Sequence, residues 1–369
     1  MRLTYVHNSE IPSRGASTVQ VMRMCAAFAR LGCDVELIVP HHGDAEPMSE
    51  ADALSYYGCS DGFALHRLPL GRAGWFGFAH AASGRAKERM SDLVFGRCIR
   101  SCTAAAWRGM PVMHEAHGPM EAYSKSGRLA FRALARSPNL RRLVVINQAL
   151  AGYYAGTLPS LTNAPLVAAS GTDPVEGAAP KTVPPEDSGT RLRIGYVGSL
   201  FPGKGMELIS EIARLSDHDF VIVGGDDELI ARWKAETSSN VTFRGFMPNR
   251  EVAAEIAALD IALAPYGSRV SGAGTSFDLA RWMSPLKLFE YMAHARAIIA
   301  SDLPAIREVV TPGQDVMLCS PEDPAAWVAA IDTLARDKAL RASLGQAALQ
   351  TFLREYTWEQ RARKILEAA

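Results

Sequence analysis

The sequence predicts an α/β protein built from two Rossmann-like parallel-sheet domains that face each other across a cleft. Its 369 residues are enough for two domains of ordinary size, each with its own core. Short β-rich runs alternate with amphipathic helices, an order typical of parallel sheets with right-handed crossovers. Segment 174–190 interrupts this alternation with four prolines, two glycines and no hydrophobic period, which is typical of an interdomain linker.

The first domain is predicted over residues 1–173. Its clearest helix is expected at residues 18–31, where apolar side chains recur with a helical period. Its strands are expected at residues 3–7, 35–40, 112–116 and 143–147.

The second domain is predicted over residues 191–354, after the linker. Its strands are expected at residues 192–197, 220–223, 241–244, 261–265 and 297–301. Its helices are expected at residues 206–215, 227–235, 250–259 and 286–295. A helix at 355–369 ends the chain, and the sequence leaves open whether it packs back on the N-terminal domain. Ligands of such sheets bind beyond the carboxyl ends of the strands.

Bulk composition argues against several classes of function. Lys plus Arg equals Asp plus Glu at 39 each, which disfavours a dominant role in binding nucleic acid. Six cysteines are scattered without a CxxC pair, so we expect reduced thiols and no metal site. The literal DxD at residues 217–219 precedes a predicted strand. We interpret it as a solvated turn at the amino end of the sheet, away from the ligand edge.

The predicted location is cytoplasmic. The N-terminus lacks a signal-like apolar core, and no run of about 18 apolar residues occurs. Segment 71–90 mixes Trp75, Phe76 and Phe78 with arginine and lysine, the mixture of an interfacial segment. Peripheral attachment at the inner membrane face therefore stays open, beside the alternative of a segment folded onto the core.

Three loops that end in helix N-termini are expected at the ligand edge: residues 13–18, 198–205 and 283–287. Free amides and the helix dipole favour anions at such places. Lys204 and Lys287 add full charges, so together the loops suit a diphosphate without a metal. No loop matches GxxxxGK[ST] and the early chain has no GxGxxG, which disfavours a P-loop and a standard dinucleotide site.

Glu290 lies on or beside the apolar stripe of a predicted helix, close to Leu286 and Phe289. A carboxylate there needs hydrogen-bond donors. The hydroxyls of a ribose would supply them, and so would a neighbouring backbone in a purely structural role.

These residues carry a resemblance that covers nearly the whole chain. The chain resembles the retaining glycosyltransferases of the group-one family, family four of the sugar enzymes, which have the two-Rossmann-domain architecture called GT-B. The helix signature KLFEYMA at 287–293 is its most specific motif. The other matching motifs are RG at 14–15, ARLGCDV at 29–35, HG at 117–118, GYVGS at 195–199, KG at 204–205, GGD at 224–226, FRGF at 243–246, Asp260 with PY at 265–266, and YTWE at 356–359.

The resemblance implies roles for particular residues. Lys204 would bind the donor diphosphate, Glu290 would accept hydrogen bonds from the donor ribose, and Gly15 would hold a phosphate through its amide. His117 would hydrogen-bond the transferred sugar or the reacting centre, with a turn cap before Gly118 as the alternative. The implied catalytic residues are His117, Lys204 and Glu290. The implied donor-binding residues are Gly15, Ser199, Gly205, Gly245, Phe246, Pro285, Leu286 and Lys287, with Gly245 and Phe246 facing the base and Arg14 an open candidate.

Two positions depart from the family pattern. Trp282 stands where many members have a second glutamate that contacts the donor sugar, and Asp278 is an open substitute for it. Ser199 stands where many members have an arginine that assists the phosphate-binding lysine. Loss of that cation should weaken diphosphate binding without abolishing it.

The implied reaction moves a sugar from a nucleotide diphosphate sugar to a hydroxyl acceptor with retention at the anomeric carbon. The expected partners are a nucleotide-sugar donor and a saccharide or lipid-linked acceptor, as in polysaccharide or glycolipid assembly. No metal or other cofactor and no nucleic acid is expected. Two alternatives remain: a nucleotide-sugar epimerase, and a non-catalytic nucleotide-sugar-binding protein.

Overall fold

The protein divides into two compact units in a computed structural model. The structure describes residues 1–13, 15–43, 47–59, 62–181, 191–270, 278 and 280–369. One unit comprises Met1–Ser170 together with Trp358–Ala369, and the other comprises Gly171–Thr357. The first unit is therefore discontinuous in sequence, because the chain returns to it at its C-terminal end.

The first unit is built on a seven-stranded sheet. Its strands are β1 (Arg2–Val6), β2 (Asp34–His41), β3 (Ala64–Pro69), β4 (Leu93–Gly96), β5 (Val112–Ala116), β6 (Leu140–Val145) and β7 (Leu166–Val167). Its helices are α1 (Ala16–Arg30), α2 (Glu50–Tyr56), α3 (Gly74–Glu88), α4 (Ile99–Trp107), α5 (Lys125–Ala135), α6 (Gln148–Thr157) and α14 (Trp358–Glu367). The strand order is β3-β2-β1-β4-β5-β6-β7, with parallel pairing throughout.

The core of this unit forms around its central strands. Tyr5 of β1 and Phe28 of α1 both meet the ring of Phe95 edge-on, with centroid distances of 4.9 and 5.7 Å. The last helix, α14, packs against α1 and buries Trp358 and Ile365. This packing places the C-terminal helix of the chain inside the N-terminal unit.

The second unit is built on a six-stranded sheet. Its strands are β8 (Arg193–Val197), β9 (Asp219–Val223), β10 (Val241–Gly245), β11 (Ile261–Ala264), β12 (Ala297–Ser301) and β13 (Met317–Cys319). Its helices are α7 (Met206–Arg214), α8 (Asp227–Glu236), α9 (Asn249–Ala257), α10 (Leu286–Ala293), α11 (Pro304–Arg307), α12 (Pro324–Arg336) and α13 (Lys338–Glu355). The strand order is β10-β9-β8-β11-β12-β13, again all parallel.

The core of the second unit includes a fully buried Trp327, whose indole N–H donates to Ser320 O at 2.8 Å. Segment 171–181 also belongs to this unit. Lys181 Nζ lies 3.0 Å from Asp260 Oδ1, and the guanidinium of Arg296 donates to Ala179 O. Residues 182–190 of the predicted linker lie outside the described part of the chain.

The predicted α/β class with two parallel sheets is confirmed. Each predicted strand has a counterpart, although the strand expected at 143–147 begins earlier, at Leu140. The structure adds β3, β4, β7 and β13, which the sequence analysis did not predict. The final helix begins at Trp358, after α13 has ended at Glu355.

Segment 71–90 contains α3 (Gly74–Glu88). Phe78 of this helix is buried, whereas Phe76 is 70% exposed. The ring of Trp75 meets Phe78 edge-on at 5.7 Å, and the guanidinium carbon of Arg100 lies 5.8 Å from the Phe76 ring centroid. Within the described ranges, no helix combines the length and the apolar character that crossing a bilayer requires.

Candidate functional site

Polar groups gather where strands β8 and β11 of the second sheet end. The loop after β8 runs from Gly198 to Gly205, which is the N-cap of α7 at φ 118°. A Cβ at Gly205 would lie 2.4 Å from Pro265 O, in the segment after β11. Only glycine combines this left-handed backbone with so close an approach. The sequence KG therefore brings Lys204 against the residues that follow β11.

Lys287, on the first turn of α10, carries a buried amine. Its Nζ lies 3.8 Å from the ring centroid of Tyr196 and 4.6 Å from that of Tyr266. It has no hydrogen-bond partner among the residues that the structure describes. Burial, followed by the charge of Lys204, holds the pKa of Lys287 well below its ordinary value. The aromatic faces offer only partial compensation for an ammonium group, so this amine is suited to receive an anion.

Lys204 adds a second cation to the same cluster. Its Nζ lies 5.8 Å from the centroid of Tyr266, the ring that also faces Lys287. Burial lowers the pKa of Lys204 from its ordinary value. Two amines around one tyrosine ring repel each other, and a phosphate or diphosphate would relieve that repulsion.

Glu290, one turn after Lys287 on α10, is only partly exposed. Burial raises the pKa of its carboxyl group to about 7, against the lowering effect of Lys287. Near neutral pH this group therefore exists in both protonation states, and donors such as ribose hydroxyls would favour the carboxylate.

Two helix N-termini face the same edge of the sheet. Gly205 and Pro285 are the N-caps of α7 and α10, and neither residue has a side chain that could accept from the first amides. The surrounding framework is tied down: Tyr291 of α10 accepts from Val197 N at 2.8 Å, and Tyr196 OH donates to Ser199 O at 2.7 Å. This gives a fixed set of amides and cations suited to an anion.

Apart from Gly15, which belongs to the first unit, the other predicted donor-binding residues lie at the same carboxyl edge. Ser199 is exposed in the loop after β8, and Pro285 and Leu286 open α10. Gly245 ends β10 at φ 74°, and its carbonyl accepts from Gly224 N at 2.8 Å. Phe246, the next residue, is 66% exposed.

The open candidates have different surroundings. Asp278 Oδ1 accepts from Val270 N at 2.8 Å and from Ala280 N at 2.9 Å, which commits this oxygen to its own segment. The guanidinium carbon of Arg281 lies 4.6 Å from the Trp282 ring centroid. Arg14 lies outside the described residues.

In the first unit, His117 follows the end of β5 and is 19% exposed. Its Nε2 forms a hydrogen bond with the carboxylate of Glu115, a residue that the sequence analysis missed. Burial, followed by the charge of Arg97, lowers the pKa of His117 to about 4, so the imidazole is neutral at pH 7. The amide of Gly15 donates to Ser13 Oγ at 3.2 Å.

The sequence could indicate Lys204 because it lies in a loop after a strand, and Lys287 and Glu290 because of their spacing at the start of a predicted helix. The sequence analysis did not assign roles to Tyr196 and Tyr266, although both lie at strand ends. Across the described residues, no group of three or more His, Cys, Asp or Glu side chains could hold a metal ion.

Comparisons with known proteins identify the family. The family model "Glycosyl transferases group 1" matches residues 191–337, and "Glycosyltransferase Family 4" matches residues 17–160. A phosphatidyl-myo-inositol mannosyltransferase of Mycolicibacterium smegmatis is 27% identical over 188 residues. This match covers 49% of the present chain and 45% of that protein, so the chain aligns with less than half of its relative.

Solved structures share the fold over almost the whole chain. Sucrose-phosphate synthase of Thermosynechococcus elongatus has a TM-score of 0.69 at 16% identity, covering 99% of this chain and 97% of that one. Anabaena HepE in complex with UDP has a TM-score of 0.70 at 16% identity, covering 100% and 99%. The two family matches together span most of the sequence, and the chain therefore belongs to the group-one, family-four glycosyltransferases.

Proposed function

We propose that the protein transfers a sugar from a nucleotide diphosphate sugar to a hydroxyl acceptor, with retention at the anomeric carbon. The observation that carries this proposal is the pair Lys204 and Lys287 around Tyr266. A buried amine without a hydrogen-bond partner among the described residues is costly. Such a cost is typical of a site that is completed by its ligand.

In this proposal the donor diphosphate lies against the two amines and the N-termini of α7 and α10. Negative charge grows on the departing phosphate during transfer, so these groups stabilise the transition state more than the ground state. A preorganised contact of this kind is typically worth about 3 kcal/mol. The two cations take the role that a divalent ion has in other phosphate sites, and we therefore propose that transfer proceeds without a metal.

The proposed roles of the remaining residues follow the resemblance. Glu290 accepts hydrogen bonds from the ribose, and Gly245 with Phe246 faces the base. His117, neutral at pH 7, hydrogen-bonds the transferred sugar. The leaving phosphate itself removes the acceptor proton, so no second carboxylate is required at the reacting centre.

A uridine nucleotide is the first donor to test, because HepE was solved with UDP and with UDP-glucose. The Mycolicibacterium relative is named for a phosphatidyl-myo-inositol substrate, and we include lipid-linked saccharides among the proposed acceptors, with a role in polysaccharide or glycolipid assembly. Cytoplasmic location with peripheral attachment through α3 belongs to this proposal. Vesicles with anionic lipid should then sediment the protein, and replacing Trp75 and Phe76 by Ala should reduce sedimentation; neutral vesicles serve as the control.

The test of the donor site compares binding of UDP, GDP and ADP by calorimetry, with magnesium and with EDTA. The variants are Lys204→Ala and, as a matched control, Lys234→Ala, an exposed lysine of α8. We expect one nucleotide to bind equally in both buffers, with affinity reduced at least tenfold by Lys204→Ala and unchanged by Lys234→Ala. Equal binding by the two variants would contradict the assignment of Lys204.

Product analysis then tests the reaction. With a nucleotide sugar and an acceptor mixture, NMR should show a glycoside whose anomeric configuration matches that of the donor. An inverted glycoside would exclude retention. A sugar nucleotide of changed configuration formed without acceptor would establish an epimerase, and nucleotide binding with neither product would establish a binding protein.

A further inference from the structure

A fully buried carboxylate lies behind His117 in the first unit. Glu115, on β5, is inaccessible to solvent. Its Oε1 accepts from Gln20 Nε2 at 2.8 Å and from Arg361 Nη2 at 3.0 Å, and its Oε2 accepts from Tyr5 OH at 3.2 Å. The hydrogen bond with His117 Nε2 completes the set. Every donor therefore converges on one carboxylate, and among them only Arg361 carries a permanent charge.

Arg361 reaches Glu115 from α14, 246 positions along the chain. Its side chain is 1% exposed. Nε donates to Ala169 O at 3.0 Å and to Ala168 O at 3.3 Å, which fixes the plane of the guanidinium. Nη1 has no partner among the described residues. Burying an arginine with an N–H that lacks a partner costs folding free energy. The ion pair with Glu115 offsets part of this cost.

The charge of Arg361 decides the state of Glu115. Burial raises the pKa of this carboxyl group, but Arg361 and then His117 outweigh burial and bring the pKa well below its ordinary value. An ionised carboxylate can only accept hydrogen bonds. The imidazole proton of His117 must therefore sit on Nε2, which makes Nδ1 the acceptor atom of the neutral ring.

The other titratable or charged groups near His117 come from several elements. Among the described residues they include Tyr5 and His7 at the end of β1, Arg97 after β4, and His114 on β5. Burial lowers the pKa of His7 to about 3 and that of His114 to about 4, so both are neutral at pH 7. Arg97 donates to Gln20 Oε1 at 3.3 Å. Of these groups Tyr5 also contacts Glu115, through a neutral hydrogen bond. Among the described residues, the ion pair of Glu115 with a permanent cation is the one that Arg361 makes.

We propose that Arg361 is a positioning residue for sugar transfer: it keeps Glu115 ionised, and Glu115 fixes His117 as the neutral Nε2–H tautomer with Nδ1 presented to a substrate hydroxyl. Its importance for transfer rests on the proposed function, whereas the location of the proton on His117 does not. The C-terminal helix thus supplies a charge that the N-terminal site requires.

Long-range ¹H–¹⁵N NMR of histidine-labelled protein tests the proposal, with His117 assigned through His117→Gln. In the native protein we expect a neutral Nε2–H imidazole down to about pH 5. In Arg361→Gln the imidazolium of His117 should persist to a pH at least one unit higher. The substitution removes a positive charge that repels the imidazolium, and the Glu115 carboxylate then has the imidazolium as its cationic partner. Arg361→Lys should restore most of the native titration.

A matched control separates this effect from loss of packing. Arg341, also buried, donates to Leu334 O in the second unit, and Arg341→Gln should lower the melting temperature without moving the His117 titration. An unchanged His117 titration in folded Arg361→Gln would overturn the proposal. Should that variant not fold, Glu115→Gln decides: the fixed tautomer should give way to a mixture, and a persistent pure Nε2–H form would overturn the proposal equally.

Kinetics connect the result to transfer. The acid limb of kcat/KM should shift upward in Arg361→Gln, by the same interval as the His117 titration. UDP affinity should stay native, because Lys204 and Lys287 of the proposed diphosphate site lie in the second unit. If the protein shows no transfer at all, the proposed function fails but the NMR titration still decides the role of Arg361.

Discussion

Lys287 is a residue whose chemistry opposes the stability of the fold. Its amine is buried against two tyrosine rings, and the pKa of the amine is lowered chiefly by burial. A folded state that disfavours the charged form loses free energy of unfolding whenever the unfolded chain binds the proton. The protein therefore carries an energetic penalty at neutral pH that a ligand anion would offset.

We predict that Lys287→Met raises the melting temperature at pH 7 and weakens UDP binding. Methionine retains most of the side-chain volume without the charge. A hydrogen bond to a charged group is worth roughly 1.5–3 kcal/mol, so affinity should fall about 10- to 100-fold. Thermal unfolding and calorimetry measure the two effects, with Lys234→Met as the exposed control. A less stable variant that binds UDP normally would mean that Lys287 is structural.

Glu290 gives a prediction in pH. Burial raises the pKa of its carboxyl group from 4.5 to about 7. A raised folded-state pKa gives stability that is complete below the unfolded pKa and is lost as the pH rises through the folded value. Glu290→Gln has no such titration. The melting temperature of the variant minus that of the native protein should therefore increase between about pH 5 and pH 8 and stay constant at higher pH.

The same substitution should weaken nucleotide binding, because a carboxamide is a poorer acceptor for ribose hydroxyls than a carboxylate. Calorimetry measures this change in nucleotide binding. Melting curves at one-unit pH intervals, without ligand, measure the pH dependence of stability. Parallel curves for native and variant protein would show that Glu290 titrates at its ordinary pKa in the folded state.

At the scale of elements, the junction between β8 and α7 depends on Gly205. Its φ of 118° is unfavourable for other residues, and an added Cβ would lie 2.4 Å from Pro265 O. We predict that Gly205→Ala destabilises the protein by about 1–3 kcal/mol and weakens UDP binding, because Lys204 and the first amides of α7 must shift.

A suitable control for this prediction is Gly313→Ala. Gly313 has φ 76°, and an added Cβ would meet nothing within 4 Å, so this variant tests the backbone conformation without the close approach. Urea unfolding and calorimetry of both variants give the comparison. Equal losses of stability, with native UDP affinity in each, would show that the approach to Pro265 is unimportant.

The strands differ in how well the sequence could predict them and the site residues that follow them. Strands β8, β9, β11 and β12 are apolar runs that precede turns, and a parallel sheet carries its polar residues just beyond such runs. Lys204 was therefore accessible to sequence reasoning, and Glu290 was accessible through the helical spacing of the apolar residues around it. Strands β7 and β13 have only two and three residues, too few for a period to appear. Glu115 could not be found, because its partner Arg361 lies 246 positions away.

At the scale of the whole molecule, the first unit depends on a helix encoded at the far end of the chain. α14 buries Trp358 and Ile365 and supplies Arg361 to Glu115. Burying a large apolar side chain contributes roughly 1.5–3 kcal/mol, and stranding a buried charge costs about 3–5 kcal/mol. These contributions together are comparable to the 5–15 kcal/mol stability of a typical domain. The second unit, Gly171–Thr357, contains none of these residues.

We therefore predict that deleting residues 358–369 abolishes the cooperative unfolding of the first unit and spares the second. Calorimetric scans of the shortened protein should keep one transition, and UDP should raise its temperature as it does in the native protein, because Lys204, Lys287 and Glu290 all belong to the second unit. Deletion of residues 368–369 alone should leave both transitions in place. An intact first transition without α14 would show that the unit is stable without its last helix, and loss of the UDP-dependent shift would show that the nucleotide site draws on the first unit.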